Sequence, residues 1–293
     1  VSKESPLLPA PYFPENSGDQ PAILASFSDI IYSYYREYGR TFPWRETRDP
    51  YRILLSEMML QQTQTERVLP KYELFLSHYP SLTDLNSATL TDILSLWKGL
   101  GYNRRALALK QIAQRAVDNW DGTLPESQRE LLELPMVGPA TSAALLAFAY
   151  SKPSLYLETN IRRVFIYFFF HDQERVSDRE IYPLLERTLD TRDPRSWYYA
   201  LMDYGVFLKQ VVTNPNRRSA HYAKQGKFEH SNRQLRGQLL SLLTEMGSLS
   251  IDQLCRRVAF PEDQVLSCLG SLEREGFLQE SSTGEASPKY RLR

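Results

Sequence analysis

Apolar residues recur at three- and four-residue spacing through most of this chain, the signature of helices that each bury one face. The pattern predicts helices over Ile23–Tyr38, Arg52–His78, Thr89–Leu96, Arg104–Asn119, Glu126–Leu134, Ala140–Tyr150, Thr159–Phe169, Arg179–Leu189 and Ser196–Lys209. Proline, glycine and aspartate separate them, and Pro70 is expected to break the long Arg52–His78 segment. From Asn232 a smaller unit begins, with amphipathic helices in RQLRGQLLSLLTEMG, SIDQLCRRVA and PEDQVLSCLGSLEREGFL, the last leading into a strand. LQESSTGEASPKYRLR then reads as a β-hairpin with Gly284 at its turn. The expected class is mainly α.

Composition limits what such a chain can do. Its 293 residues suffice for two domains and a sizeable core. Lys plus Arg and Asp plus Glu number 35 each, so any affinity for a polyanion has to come from local patches. Cys255 and Cys268 are the only cysteines, too few for a four-cysteine iron–sulfur cluster and poor material for a disulfide scaffold. A reducing cytosol, nucleoid-associated in a bacterium, is the expected setting. The histidines His78, His171, His221 and His230 lack metal-ligand spacing, so neither a metal nor a cofactor is expected. No charge-free apolar run approaches membrane-spanning length, and no membrane partner is expected. Residues 1–22 are Pro-rich, carry acids and read as a flexible leader; residues 213–231, with Arg217, Arg218, His221, Lys224 and Lys227 ahead of Glu229, read as a basic linker.

Candidate chemistry concentrates between Leu132 and Val164. Pro135 stops one helix, Met136-Val137-Gly138-Pro139 turns, and Ala140-Thr141 opens the next. Such a hairpin aims the amides around Val137, Gly138, Ala140 and Thr141 outward, where they can hold a phosphate without reading sequence. An ordinary helical hairpin is the alternative. Glu158 follows SKPSLYL where an extended segment enters a helix, and either it or Thr159 can cap that helix. A second acid, Glu57, sits between Leu54, Leu55, Met58 and Leu60, surroundings that favour the neutral form a general acid needs; the alternative is a polar helix face shared with Gln61. Paired carboxylates suit cleavage of a glycosidic bond, one protonating the leaving group and the other stabilising a cationic sugar.

These segments stand in a telling order. FPWRETRDPYRILLSEMMLQQTQTERVLPKY at Phe42–Tyr72, LWKGLGYNRRALALK at Leu96–Lys110 and the Leu132–Val164 hairpin together resemble the helix-hairpin-helix DNA glycosylase superfamily. The likeness is strongest to adenine glycosylases that act on mismatches, extends to endonuclease III, and covers about residues 25 to 210. It implies a two-lobed helical fold over residues 23–212, and double-stranded DNA containing a damaged or mispaired base as partner. Glu57 then matches the acid that protonates the leaving base, and Glu158 the superfamily's essential aspartate. Gln61, Gln62 and Gln64 match a segment that occupies the gap left by an extruded base, and Tyr102 a wedge beside the orphaned base. Trp44 and Arg45 are expected to buttress the fold or the substrate pocket, to which Ala140 is also assigned. Arg104, Arg105, Arg162 and Arg163 are expected to add phosphate contacts, with exposed charge pairs as the alternative. Residues 232–293 resemble a winged-helix domain, although Glu262, Asp263, Glu273 and Glu275 on its presumed recognition helix fit poorly into a major groove.

The departures from the pattern are as informative. Glu158 is a methylene longer than the usual aspartate, Asn103 replaces an aromatic, and Met136 stands at the hairpin's usual first glycine, leaving Gly138 as the flexible residue. Ala140 replaces the lysine nucleophile of the strand-cleaving relatives, which argues against lyase chemistry. The superfamily's usual cluster cysteines after an LMDYG-like segment are absent, and Arg217, Arg218, Lys224 and Lys227 are expected to supply phosphate contacts instead. The leading expectation is a monofunctional glycosylase in base excision repair, with an adenine-type substrate as first choice. A glycosylase for another modified base, or a non-catalytic lesion sensor or DNA-binding regulator, is the alternative.

Overall fold

The computed structural model describes residues 9–14, 17–223, 228–281 and 289–293. Gly284, Lys224 and Lys227 lie outside them. In chain order the helices are α1 (Pro21–Tyr38), α2 (Pro50–Leu60), α3 (Thr65–His78), α4 (Leu82–Ser87), α5 (Leu90–Trp97), α6 (Arg104–Trp120), α7 (Gln128–Leu132), α8 (Pro139–Phe148), α9 (Thr159–Phe169), α10 (Asp178–Thr188), α11 (Pro194–Val211), α12 (Asn232–Met246), α13 (Ile251–Cys255) and α14 (Glu262–Arg274). Three short strands, β1 (Leu249–Ser250), β2 (Leu278–Ser281) and β3 (Lys289–Leu292), form an antiparallel sheet in the order β1-β3-β2. The mainly helical class is as expected.

Local chemistry explains where the boundaries fall. The break in the Arg52–His78 segment lies at residues 61–64, where Gln62 takes φ +55° and ends the ladder of α2; Pro70 sits inside α3. The α4 helix, absent from the periodicity reading, is fixed by a capping box in which Ser81 and Asp84 exchange side-chain and backbone hydrogen bonds. Its six residues are too few to show a period.

The chain divides into two compact units, each assembled from separated stretches. The first contains residues 1–53, 126–132 and 137–224. Its core gathers around Phe27, fully buried among the rings of Phe165, Phe168, Phe169 and Trp197. Residues 9–14, expected to be part of a flexible leader, are pinned to this core. Phe13 is buried and its amide donates to the Phe168 carbonyl, while Ala10 bonds Tyr204 and Tyr167. Residues 213–220 likewise are no loose linker: Pro215 and Asn216 are buried, and Val176 and Ser219 form a short parallel bridge.

Asp203 on α11 is the buried acid of this unit. Arg45 grips it with both terminal nitrogens at 2.8 Å, and Arg40 adds its own amide at 2.8 Å and Nε at 2.7 Å. Two residues later on the same helix, close packing takes over from charge: a Cβ built on Gly205 would lie 2.3 Å from the Asn160 carbonyl oxygen.

The second unit contains residues 54–125, 133–136 and 225–293. Within it α6 packs on α4 and α5, and α12 packs on α5. The C-terminal segment expected to stand apart at 232–293 is therefore part of the same compact body as α3 to α6. Its three helices and strand pair fall where periodicity placed them, with β1 added. Lys98 pairs with Glu245, and Glu275 is held between Arg104 and Arg236 by hydrogen bonds of 2.6 to 2.9 Å. The fork from Arg104 leads in pulling the Glu275 carboxyl down to about 2.

Removing one partner from a buried ion cluster strands the other charges. Asp203→Ala is expected to cost about 3–5 kcal/mol, read as a lowered denaturant midpoint with an unchanged slope; a loss below 1 kcal/mol would show the cluster to be dispensable.

Candidate active site

The hairpin forms as expected, but its strained residue is different. Gly138 is the N-cap of α8 at φ −90°, a conformation open to any residue, whereas Met136 takes φ +58° and is 46% exposed. Met136 thus occupies the left-handed position that a glycine would fill without cost. What Gly138 contributes is space, since a Cβ there would meet no atom within 4 Å. Val137 and Thr141 bury their side chains, and Ala140 is exposed in the first turn. The first helical bond runs from Ser142 N–H to the Gly138 carbonyl, so the amides of Ala140 and Thr141 precede any intrahelical acceptor.

Glu158 caps α9. Its Oε1 accepts from the amides of Asn160 at 2.7 Å and Ile161 at 3.0 Å, and Oε2 accepts from Asn160 Nδ2 at 3.2 Å. The residue is half-buried, and its carboxyl is partly shielded from water. This desolvation raises its pKa, against the two amides and the charges of Arg163 and Arg162. Arg163 is itself buried and donates to Asn160 Oδ1 at 2.7 Å, the Gly205 carbonyl at 2.6 Å and Asn214 Oδ1 at 3.0 Å. Asn216 Nδ2 completes the frame, 2.8 Å from the Thr159 carbonyl. Arg162 forks onto Asp178 at 2.6 and 2.8 Å. Arg162 thus forms a charge pair, the alternative expected of it, while Arg163 is buried and its phosphate role is corrected.

In the second unit, Glu57 is half-buried on α2 beside the fully buried Leu54, Leu55 and Met58. The turn after α2 presents Gln62 and Gln64 to solvent with Gln61 half-buried. The second expected insertion, after α5, is a tight turn in which Gly99, Gly101 and Tyr102 all have positive φ, at +95°, +72° and +48°. Tyr102 is 38% exposed, and its hydroxyl accepts from Arg233 on α12 at 3.2 Å. Arg104 forms an exposed charge pair with Glu275, the alternative expected of it, and Arg105 is corrected: at 1% exposure it cannot reach a phosphate.

Trp44 and Arg45 turn out to be supports. Trp44 is buried and stacks on Phe42 at 5.0 Å, and Arg45 combines its Asp203 fork with a 4.4 Å approach to the Tyr199 ring. Arg217 is exposed and Arg218 half-buried on a short 3-10 turn, Pro215–Arg218, following α11. The residues that sequence reasoning missed are Asn214, Asn216 and Gly205, which build the floor beneath Glu158. Their only signal was position, in and just after the LMDYG segment.

A model of the HhH-GPD superfamily of base excision DNA repair proteins matches residues 55–189. A thymine/uracil-DNA glycosylase of Pyrobaculum aerophilum is 31% identical over 195 residues, spanning 64% of this chain and 83% of that protein. The chain belongs to the HhH-GPD superfamily. An adenine DNA glycosylase of Buchnera aphidicola subsp. Baizongia pistaciae is 34% identical over 187 residues, 62% of this chain and 52% of that protein. The chain spans about half the length of the first curated relatives it matches. The solved structure of a thermostable thymine-DNA glycosylase aligns at 27% identity with a TM-score of 0.56, covering 63% of this chain and 86% of that one.

The stretch after α11 bears on the cluster cysteines that the resemblance raised. A four-cysteine cluster does not fit there: the two cysteines lie in α13 and α14, and the segment after α11 spends its side chains holding α9. Among the described residues there is no cluster of metal-ligating side chains, and no helix is long and apolar enough to cross a membrane.

Glu158 yields a pH-dependent expectation. A raised pKa in the folded protein means that the ionised carboxyl is penalised on folding, and the penalty disappears as pH falls through that pKa to the ordinary carboxylate value. Glu158→Gln is expected to raise Tm at neutral pH, by about 2–4 °C for each kcal/mol relieved, and to lose the advantage below about pH 4. A Tm difference independent of pH would contradict the burial argument.

Proposed function

We propose that this protein is a monofunctional DNA glycosylase that hydrolyses the N-glycosidic bond of a mispaired or modified base, with adenine as the first candidate. The observation that carries the reading is the half-buried carboxyl of Glu158 at the head of α9, which accepts from the amides of Asn160 and Ile161 while Arg163, Asn214 and Asn216 hold the start of that helix. A purely structural cap would not need so extended a frame, because an exposed oxygen caps a helix equally well. In its ionised form Glu158 stabilises the oxocarbenium-like sugar, and Glu57 gives its proton to the departing base. The net step adds water: the base leaves with a proton, and hydroxyl ends on C1′ of an abasic sugar.

The other assignments support the same reading. The exposed Gln62 and Gln64, with Gln61 and Tyr102, are suited to fill the space left by an extruded base. The amides of Val137, Gly138, Ala140 and Thr141 suit a phosphate, and Arg217 and Arg218 can extend the charged contact. Ala140 offers no amine for attack on the sugar, so strand cleavage by an imine route is not expected. The names of the relatives bracket the substrate: adenine for some, thymine or uracil for others.

The test is a single-turnover assay on duplexes carrying adenine opposite 8-oxoguanine or guanine, thymine or uracil opposite guanine, and alkylated bases. Wild-type protein is expected to release a base whose abasic product breaks only after alkali; cleavage without alkali would overturn the monofunctional assignment. Glu57→Gln and Glu158→Gln should each slow release by at least about 10²-fold. Tight binding to an abasic duplex with no base release from any substrate would favour the non-catalytic sensor. Gly138→Ala should leave folding stability within about 0.5 kcal/mol of wild type while weakening duplex binding, because the added methyl points into open space where a phosphate would sit. Unchanged affinity would remove the hairpin from the DNA contact.

A further inference from the structure

Arg105, the second residue of α6, is buried without any acidic hydrogen-bond partner among the described residues. Its Nη1 donates to the carbonyls of Met58 and Met59, both at 2.8 Å, and Gln61 at 2.7 Å. Its Nη2 donates to the carbonyls of Gly101 at 2.8 Å and Leu100 at 3.1 Å. The Thr63 hydroxyl lies between, 3.2 and 3.1 Å from the two nitrogens. Trp97 and Tyr102 close over the guanidinium, each ring centre 5.4 Å away.

Two separate turns therefore end on one cation: residues 61–64, after α2, and residues 99–102, after α5. Each carries a non-glycine residue in the left-handed region, Gln62 and Tyr102, and such conformations persist only where surrounding structure over-determines them. A buried cation without a carboxylate is expensive, and an apolar side chain of similar volume would hold a core together at less cost. Burial lowers the Arg105 pKa only to about 10, so it remains charged at neutral pH. What an apolar residue cannot do is fix carbonyl positions in both turns at once.

We propose that Arg105 is a positioning residue for base extrusion: it joins the glutamine turn and the Tyr102 turn so that they enter the duplex as one rigid wedge. The role rests on the glycosylase reading above. Arg105 touches neither base nor phosphate; it acts through Gln61, Gln62 and Tyr102. Lysine is a poor substitute, because a single ammonium cannot span carbonyls on both sides in the plane that the guanidinium provides.

The experiment compares two duplexes of one sequence, one intact and one with a tetrahydrofuran abasic-site analogue, for binding by wild type, Arg105→Lys, Thr63→Val and Leu185→Ala. Leu185 is a fully buried residue of α10 and serves as a control for lost stability. Wild type is expected to prefer the abasic duplex. Arg105→Lys should reduce that preference by about 10-fold or more, since misplacement by an ångström can cost 10²-fold, and leave affinity for the intact duplex unchanged. Thr63→Val, which keeps the charge and removes one shared acceptor, should shift the preference in the same direction by less. Leu185→Ala should keep the wild-type preference despite a lower Tm. Full preference in Arg105→Lys, or an equal loss in Leu185→Ala, overturns the proposal. Should Arg105→Lys fail to fold, an unchanged preference in Thr63→Val overturns it instead. A wild type that does not distinguish the duplexes refutes the glycosylase reading itself, in an arm that contains no substitution.

Discussion

The missing side chain of Gly205 is the constraint on which the first unit turns. Where α11 crosses the start of α9, even a methyl would overlap the Asn160 carbonyl, so the two backbones are in contact. That approach lets the Gly205 carbonyl accept from Arg163 and lets Arg163 reach Asn160 and Asn214 together. Glu158 is thereby held as a cap with its oxygens facing fixed amides. Asp203, two residues earlier on α11, fastens the same helix to Arg40 and Arg45. One helix thus joins an ionic anchor to a steric one, and the candidate carboxylate depends on both.

Much of this was legible in the sequence, for reasons that differ by element. The long helices were visible because each buries one face and so repeats its apolar residues at helical period, as in α6 and α9. Glu158 and Glu57 were visible because acids are rare in such surroundings, and because the strings around them resemble one superfamily. The sequence left the arginines between alternatives, because charge in a sequence does not reveal whether it faces water, a carboxylate or a ring of carbonyls. Arg45, Arg104, Arg105, Arg162 and Arg163 all proved to be committed within the protein. Gly138 and Met136 exchanged roles for a similar reason: residue type suggested which would be strained, while the turn geometry decided it.

The departures from the superfamily pattern share a physical logic. The segment that follows α11 is held by amide side chains: Asn214 and Asn216 reach α9 from it. Hydrogen bonds of this kind hold a loop without a redox-active group, and they tie its conformation to the charge state of Arg163 rather than to metal supply. The carboxylate at 158 is longer than the usual aspartate, and its second oxygen is steadied by Asn160. Extra reach is accompanied by extra restraint.

The interleaving of the two units bears on how the chain comes to be folded at all. The body formed by residues 54–125 includes residues 225–293, since α12 packs on α5 and Glu275 binds Arg104. A chain emerging from a ribosome therefore exposes the surface of α5 until α12, more than a hundred residues later, has been made. The first unit, which needs residues 1–53 beside residues 137–224, is able to finish earlier. Completion is ordered by topology: the body carrying Glu158 can close while the body carrying Glu57 and Tyr102 still waits for its last helices. Half-made chains would then hold the cap of α9 in place while part of the scaffold around α5 is still missing.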